Sequence, residues 1–145
     1  MTKFGAGLAI SVGLIGCSNG LGHIRRVALI ANELVGLGAE VEMFAPESLV
    51  ERTLVTLEIP KRFELTDFDT CTSVDALRIG NSQTVNWEKR LPDISQFDCV
   101  VSDNLPEILA IRPDAWLSGN FLWHEALPDI SLVYRQRALS LLSKC

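Results

Sequence analysis

A histidine and two arginines follow a glycine-rich turn near the amino terminus of this 145-residue chain, in the run GLGHIRR at residues 20–26. Glycines let backbone N–H groups approach an anion closely, and an imidazole accepts or releases a proton near neutral pH. His23, Arg25 and Arg26 therefore predict an anion-binding turn next to a proton acceptor.

The segments around this turn predict the elements that position it. An almost continuous apolar run at residues 8–15 favours a buried strand, and apolar residues at helical spacing from Ile24 to Val35 favour a helix that reaches Leu37. A second apolar run at residues 40–45 completes a strand–helix–strand unit of the size that a right-handed crossover needs.

The rest of the chain continues this alternation. Further strands are predicted at residues 62–65, 97–102 and 115–118. Further helices are predicted at residues 46–56, 83–91, 106–111 and 130–144. The pattern indicates a doubly wound, Rossmann-like α/β domain with a mostly parallel sheet and helices on both faces.

Polar side chains come at the ends of three predicted strands, where such sheets bind ligands. The clusters at residues 16–23, 103–104 and 120–125 are far apart in sequence, but we expect them at one edge of the sheet. His23 is the candidate general base, and Asp103 would hold its other ring nitrogen and stabilise the imidazolium. Alternatively, Asp103 caps the helix predicted at residues 106–111, and the two roles are compatible.

The cations of the turn have two interpretations. In the first turn of a helix the dipole disfavours a cation by about 0.3–1 kcal/mol, and no acidic residue offsets His23, Arg25 and Arg26 there. An anionic ligand or a nearby carboxylate would offset this cost. Alternatively, the arginines are solvated and the glycines only turn the chain.

Other residues of the three clusters are candidates for substrate binding. Trp123 would form an apolar or stacking wall and Asn120 would read hydroxyls, unless this segment is simply a turn with buried Phe121 and Trp123. We expect His124 at the surface. The substrate-binding candidates are Asn19, Gly20, Gly22, Arg26, Asn104, Asn120 and Trp123.

Composition excludes some classes of function. Apolar residues make up 48% of the chain, which indicates a folded domain, and the net charge of −5 gives no reason to expect nucleic acid. The four cysteines lack the Cys-x-x-Cys spacing of a zinc site, so we expect no metal and reduced thiols in a cytoplasmic protein. Alternatively, Lys3, the apolar run and Cys17 form a lipoprotein signal, whose cleavage would remove the first predicted strand.

Three segments together resemble the amino-terminal domain of GT-B glycosyltransferases. The run at 20–26 and the elements after it resemble the Gly-x-Gly-His-x-x-Arg variety in transferases that use UDP-linked N-acetylglucosamine and in related sugar-nucleotide hydrolases. The strand ending at Asp103 is similar to the family's next signature. Residues 118–123 are similar to an Asn-Phe-x-Trp segment of transferase-like domains attached to some sugar kinases. The resemblance covers most of residues 8–127 except 58–96.

The resemblance implies metal-independent transfer of a sugar from a nucleotide-sugar, expected to be UDP-linked, to an acceptor hydroxyl. His23 would be the base, Asp103 its partner, and Gly20, Gly22 and Arg26 would lie near the donor phosphates. Such enzymes hold the donor mainly in a second, carboxyl-terminal domain. We therefore interpret residues 1–145 as a single, incomplete acceptor-side domain, weak or inactive without a donor-binding domain or chain.

The resemblance also leaves alternatives open. A sugar-nucleotide hydrolase would use the same residues with water as the acceptor, and a non-catalytic binding or regulatory domain would suit a chain of this length. No cofactor is expected besides the nucleotide-sugar co-substrate. Peripheral contact with a membrane surface stays open because some relatives modify lipid-linked acceptors.

Overall fold

A five-stranded sheet forms the centre of the computed structural model, which describes residues 7–145. Its strands are β1 (Ser11–Ile15), β2 (Glu40–Ala45), β3 (Glu64–Asp67), β4 (Cys99–Asp103) and β5 (Trp116–Ser118). They lie in the order β3-β2-β1-β4-β5, and all four pairings are parallel. The predicted Rossmann-like α/β fold with a parallel sheet is confirmed.

Helices cover the sheet on both faces. They are α1 (Leu21–Gly36), α2 (Glu47–Leu57), α3 (Val74–Ile79), α4 (Ser82–Val85), α5 (Trp123–Ala126) and α6 (Leu132–Leu142). Two 3₁₀ helices lie at Trp87–Arg90 and Pro106–Ala110. One apolar cluster joins α1 and α2 to one face of the sheet, and a second cluster joins α6 and the 3₁₀ helices to the other.

The central strand explains why its sequence is almost continuously apolar. Leu14 points into the cluster under α1 and Ile15 into the opposite cluster, and both side chains are at most 1% exposed. A parallel strand that is covered on both faces needs apolar residues at successive positions. This strand therefore forms the boundary between the two halves of the core.

The strand order places two distant loops side by side. From β1 the chain runs to β2 and β3, then crosses back to form β4 on the other side of β1. Ile15 is in register with Ser102, so the residues after β1 lie next to Asp103 at the carboxyl edge. The crevice where the strand order reverses is the usual ligand site of this architecture.

Several sequence predictions need correction. The helix predicted at residues 83–91 is two short elements, α4 and a 3₁₀ helix, because Asn86 between them leaves helical geometry with φ −120°. The segment at 106–111 is 3₁₀, and the strand predicted at 62–65 begins two residues later, at Glu64. Helix α3 was not predicted, although Ser73 caps its start and left-handed Gly80 ends it.

The amino-terminal segment bears on the lipoprotein alternative. Lys3 lies outside the described residues, whereas β1, which cleavage would remove, occupies the middle of the sheet. The Cys17 side chain is buried, and all four cysteines are free thiols. None of the helices in residues 7–145 has the length and apolar character needed to cross a bilayer.

Candidate functional site

The glycine turn leaves the start of α1 open. Gly20 adopts φ 93°, a conformation that favours glycine, and no side chain caps the helix. A Cβ added at Gly20 or Gly22 would meet no atom within 4 Å. The first backbone N–H groups of α1 are therefore accessible to a ligand from this side.

His23 is oriented by Asp103 across the carboxyl edge of the sheet. Its Nδ1 lies 2.7 Å from Oδ2 of Asp103, and the two side chains are 13% and 0% exposed. A carboxylate only accepts hydrogen bonds, so this contact places the ring proton on Nδ1 and leaves the lone pair on Nε2. Among residues 7–145, Nε2 has no hydrogen-bond partner.

Arg26 binds the other oxygen of the same carboxylate. Its Nε donates to Oδ1 of Asp103 at 3.0 Å, and its Nη2 donates to the same atom. The Ser118 hydroxyl, at the end of β5, donates to Oδ1 at 3.2 Å. From the sequence, a nearby carboxylate is one group that could offset the cost of cations in the first turn of the helix. For His23 and Arg26, Asp103 is that carboxylate.

Two aromatic rings hold the other side of the imidazole. Phe121 packs edge-on at 6.2 Å between ring centroids, and Trp123 packs at 5.5 Å. Trp123 is only 5% exposed, so it supports His23 from behind and does not present a stacking face to a sugar. His124, expected at the surface, is also buried, at 7% exposure.

Asn104 is a structural residue of the edge. It is wholly buried, with φ 58°, and its amide nitrogen donates to the carbonyl oxygens of Ser118 at 2.9 Å and Phe121 at 3.1 Å. It therefore ties the loop after β5 to the end of β4 and has no surface for a substrate. Nor does Asp103 cap a helix, because the following 3₁₀ helix begins after Leu105 and has no side-chain cap.

The turn after β1 is fixed from the segment that follows β3. Ser18 and Thr70 share a hydrogen bond between hydroxyls at 3.0 Å, and Thr72 N donates to the Ser18 hydroxyl at 3.2 Å. Cys17 Sγ contacts Thr72 Oγ1 at 3.2 Å. Burial raises the pKa of the Cys17 thiol to about 11, so this thiol is neutral.

The remaining candidates lie around this centre. Asn19 is half-buried in the turn, whereas Gly20, Gly22 and Asn120 are exposed. Asn120 lines an open recess of about 290 Å³ with Ser118, beside the end of β5. The structure thus brings the three predicted clusters to one edge, as the strand-end argument predicted.

Sequence reasoning missed three contributors: Thr70, Thr72 and Ser118. Each follows or ends a strand, so the rule that parallel strands present their carboxyl ends at one edge applies to them too. The signal was weak because hydroxyl residues are common in loops. No group of three histidine, cysteine, aspartate or glutamate side chains within residues 7–145 is arranged to hold a metal ion.

Comparison with known proteins gives likeness to solved structures. No protein-family model matches the chain, and no curated protein sequence matches it. The crystal structure of Arabidopsis thaliana UGT89C1 complexed with quercetin superposes with a TM-score of 0.48 at 16% identity. The match covers 90% of this chain and 40% of that one, so the chain spans less than half of that protein's length. At this level the likeness carries no argument about function.

Proposed function

We propose that this chain is the acceptor-side domain of a GT-B-like glycosyltransferase. The single observation that supports this most directly is the His23–Asp103 pair at the carboxyl edge, with Nδ1 engaged and Nε2 free. The sequence resemblance to the Gly-x-Gly-His-x-x-Arg transferases supports it independently. The reaction would need no metal.

His23 would act as the general base. The acceptor hydroxyl gives its proton to Nε2 while its oxygen forms a bond to the anomeric carbon of the donor sugar. The bond from that carbon to the diphosphate breaks, and the nucleoside diphosphate leaves with the electron pair. Asp103 stabilises the imidazolium that results, because its buried carboxylate lies 2.7 Å from Nδ1.

The open start of α1 suits an anionic group beside the base. Gly20 and Gly22 leave space at the first N–H groups, and the positive end of the helix dipole favours a phosphate. The donor would be a UDP-sugar held mainly by a donor-binding domain or a second chain. Alone, the described domain offers one side of the site, so we expect weak acceptor binding and little turnover.

The first test measures binding by the chain itself. Isotope-labelled chain is titrated with UDP-sugars and with a panel of hydroxyl-bearing acceptors, and backbone amide shifts are followed by NMR. We expect shifts to concentrate at residues 18–23 and 118–121. A ligand that binds elsewhere, or no ligand among the panel, would count against an acceptor site at this edge.

The second test measures chemistry with a donor-binding domain supplied as a fusion or as a separate chain. UDP release is compared for wild type, His23→Ala and the matched control Glu33→Ala, an exposed position on the same helix. Loss of the base should lower the rate about 10²–10⁴-fold, and the control should not. Equal release with and without acceptor would indicate the hydrolase alternative, and no release in any pairing would favour a binding domain.

A further inference from the structure

The position of Arg26 does not suit a donor-phosphate ligand. Its Nε and Nη2 both bind Oδ1 of Asp103, so this edge of the guanidinium is already engaged. To present the same edge to a phosphate, Arg26 would have to release a wholly buried carboxylate. The Arg26 side chain is itself about two-thirds buried.

We propose that Arg26 is a positioning residue that acts through Asp103 and keeps His23 neutral, with its proton on Nδ1. This inference rests on the proposed role of His23 as a base. In this role Arg26 neutralises the Asp103 carboxylate of the His23–Asp103 pair and does not bind the phosphates of the nucleotide-sugar.

The charge balance follows from the burial of Asp103. An ionised carboxylate with 0% exposure is costly unless a cation accompanies it. Without Arg26, the nearest group able to supply that charge is His23, which would take up a second proton and lose its capacity to accept one. A guanidinium stays charged at all relevant pH values, so Arg26 supplies the charge permanently.

The other groups around Asp103 do not supply the permanent positive charge that Arg26 provides. Within residues 7–145, the charged or titratable neighbours of Asp103 are His23 and Arg26 on α1 and the Cys17 thiol in the turn after β1. Burial raises the pKa of Cys17 to about 11, so it contributes no charge near neutral pH. The groups packed here from β5 and the segment after it are Ser118, Phe121 and Trp123, none of which is charged.

The contact between Arg26 and His23 also has a consequence. Arg26 Nη2 lies 3.3 Å from Nδ1 of His23. Because Nδ1 already donates to Asp103, Arg26 Nη2 and His23 Nδ1 are two donors that face each other. The positive charge of Arg26 would therefore repel a positive charge on the imidazole ring. Arg26 thus keeps the base free in the resting state and makes the imidazolium less stable during transfer.

The test reads the ring directly, with the full chain and no donor domain. The ¹⁵N shifts of the two ring nitrogens of His23 report which carries a proton, and His124→Gln assigns the signals, since the chain has two histidines. In wild type we expect the ring proton on Nδ1, opposite the Asp103 carboxylate. In Arg26→Gln we expect both ring nitrogens to carry a proton more often than in wild type, because the buried carboxylate has lost its guanidinium.

Two further variants make the result specific. Arg26→Lys keeps the charge and should keep the ring neutral. Arg25→Gln, one position away and exposed, should match wild type. UDP, titrated as the phosphate probe, should behave alike with the Arg25→Gln and Arg26→Gln chains.

Three outcomes would overturn the inference. They are a ring proton on Nε2 in wild type, an unchanged ring in Arg26→Gln, and a loss of UDP binding confined to Arg26→Gln and Arg26→Lys. None of these readouts depends on turnover. A chain that shows the expected ring states but transfers no sugar would therefore refute the proposed function and leave the role of Arg26 intact.

Discussion

Nδ1 of His23 lies 2.7 Å from the Asp103 carboxylate, although 80 positions separate the two residues in the chain. His23 lies in the first turn of α1 and Asp103 ends β4, so the contact joins the two elements that follow and neighbour β1. Asp103 is the centre of this group, because it also binds Arg26 and Ser118. Changes at Asp103 should therefore affect stability as well as chemistry.

Asp103→Asn should destabilise the fold by about 1–3 kcal/mol. The amide cannot balance the charge of Arg26, and the guanidinium of a side chain that is about two-thirds buried is left without its anion. Urea unfolding followed by circular dichroism measures the change. The matched control is Asp129→Asn, which breaks the half-exposed pair with Arg78 and should change little. If the two variants lower the free energy of unfolding equally, the buried pair stabilises the fold no more than an exposed pair does.

Ionisation of Glu107 should lower the free energy of unfolding as pH rises towards 7. It is wholly buried on the 3₁₀ helix Pro106–Ala110, where Oε2 accepts a hydrogen bond from Trp87 Nε1 at 3.1 Å. Burial raises its pKa from 4.5 to about 7, although hydrogen bonds and the charge of Arg137 lower it in part. The folded chain thus binds the proton more tightly than the unfolded chain.

The stabilisation from protonated Glu107 is fully present below about pH 4.5 and is lost as pH rises through about 7. It amounts to about 3 kcal/mol. Glu107→Gln keeps the acceptor for Trp87 without the ionisation, so its Tm relative to wild type should rise between pH 5 and pH 8. A constant difference in Tm across this range would contradict the prediction.

Glycine substitutions should separate a ligand-binding surface from a structural contact. Gly22→Ala meets open space at ordinary φ and lies inside α1, so it should raise the free energy of unfolding by about 0.5–1 kcal/mol. The added methyl group would nevertheless occupy the approach to the first N–H groups of α1. We therefore expect weaker binding of a UDP-sugar despite greater stability, measured by NMR titration and urea unfolding.

Gly119→Ala is the structural counterpart. Gly119 has φ 130°, and a Cβ there would lie 1.5 Å from the side-chain amide group of Asn104. The substitution should displace Asn104 and detach the loop after β5 from the end of β4. We expect a loss of at least about 2 kcal/mol in unfolding free energy, and wild-type stability would contradict the role given to Asn104.

Cysteine reactivity should report the integrity of the turn after β1. Cys17 is wholly buried, and its pKa is raised from 9.0 to about 11, so its thiolate fraction at pH 8 is about a hundredfold lower than usual. Cys145 is exposed. Alkylation followed by mass spectrometry should modify Cys145 first and Cys17 only after unfolding. Prompt modification of Cys17 in the folded chain would show that the hydrogen bonds from Thr70 and Thr72 do not hold this turn closed.

The pattern of elements was largely predictable because it depends on local periodicity. The strand at residues 40–45 was predicted with its observed bounds, and the predicted end of the first helix, at Leu37, lies one residue beyond the end of α1. Errors concentrate at residues 58–96, where the segments are short and polar and their structure depends on tertiary contacts. Helix α3 is such a case, since its six residues carry cap signals but too few turns for a periodic pattern.

The sequence by itself determined that His23 begins a helix, that Asp103 ends a buried strand, and that parallel pairing would gather strand ends at one edge. Those features follow from apolar spacing and glycine positions, which are properties of neighbouring residues. Only the tertiary structure decided that Arg26 binds Asp103 and that Trp123 is buried behind His23. Such pairings depend on distances between side chains far apart in sequence and on the free-energy cost of burying charge. The local periodicity of the sequence predicts neither.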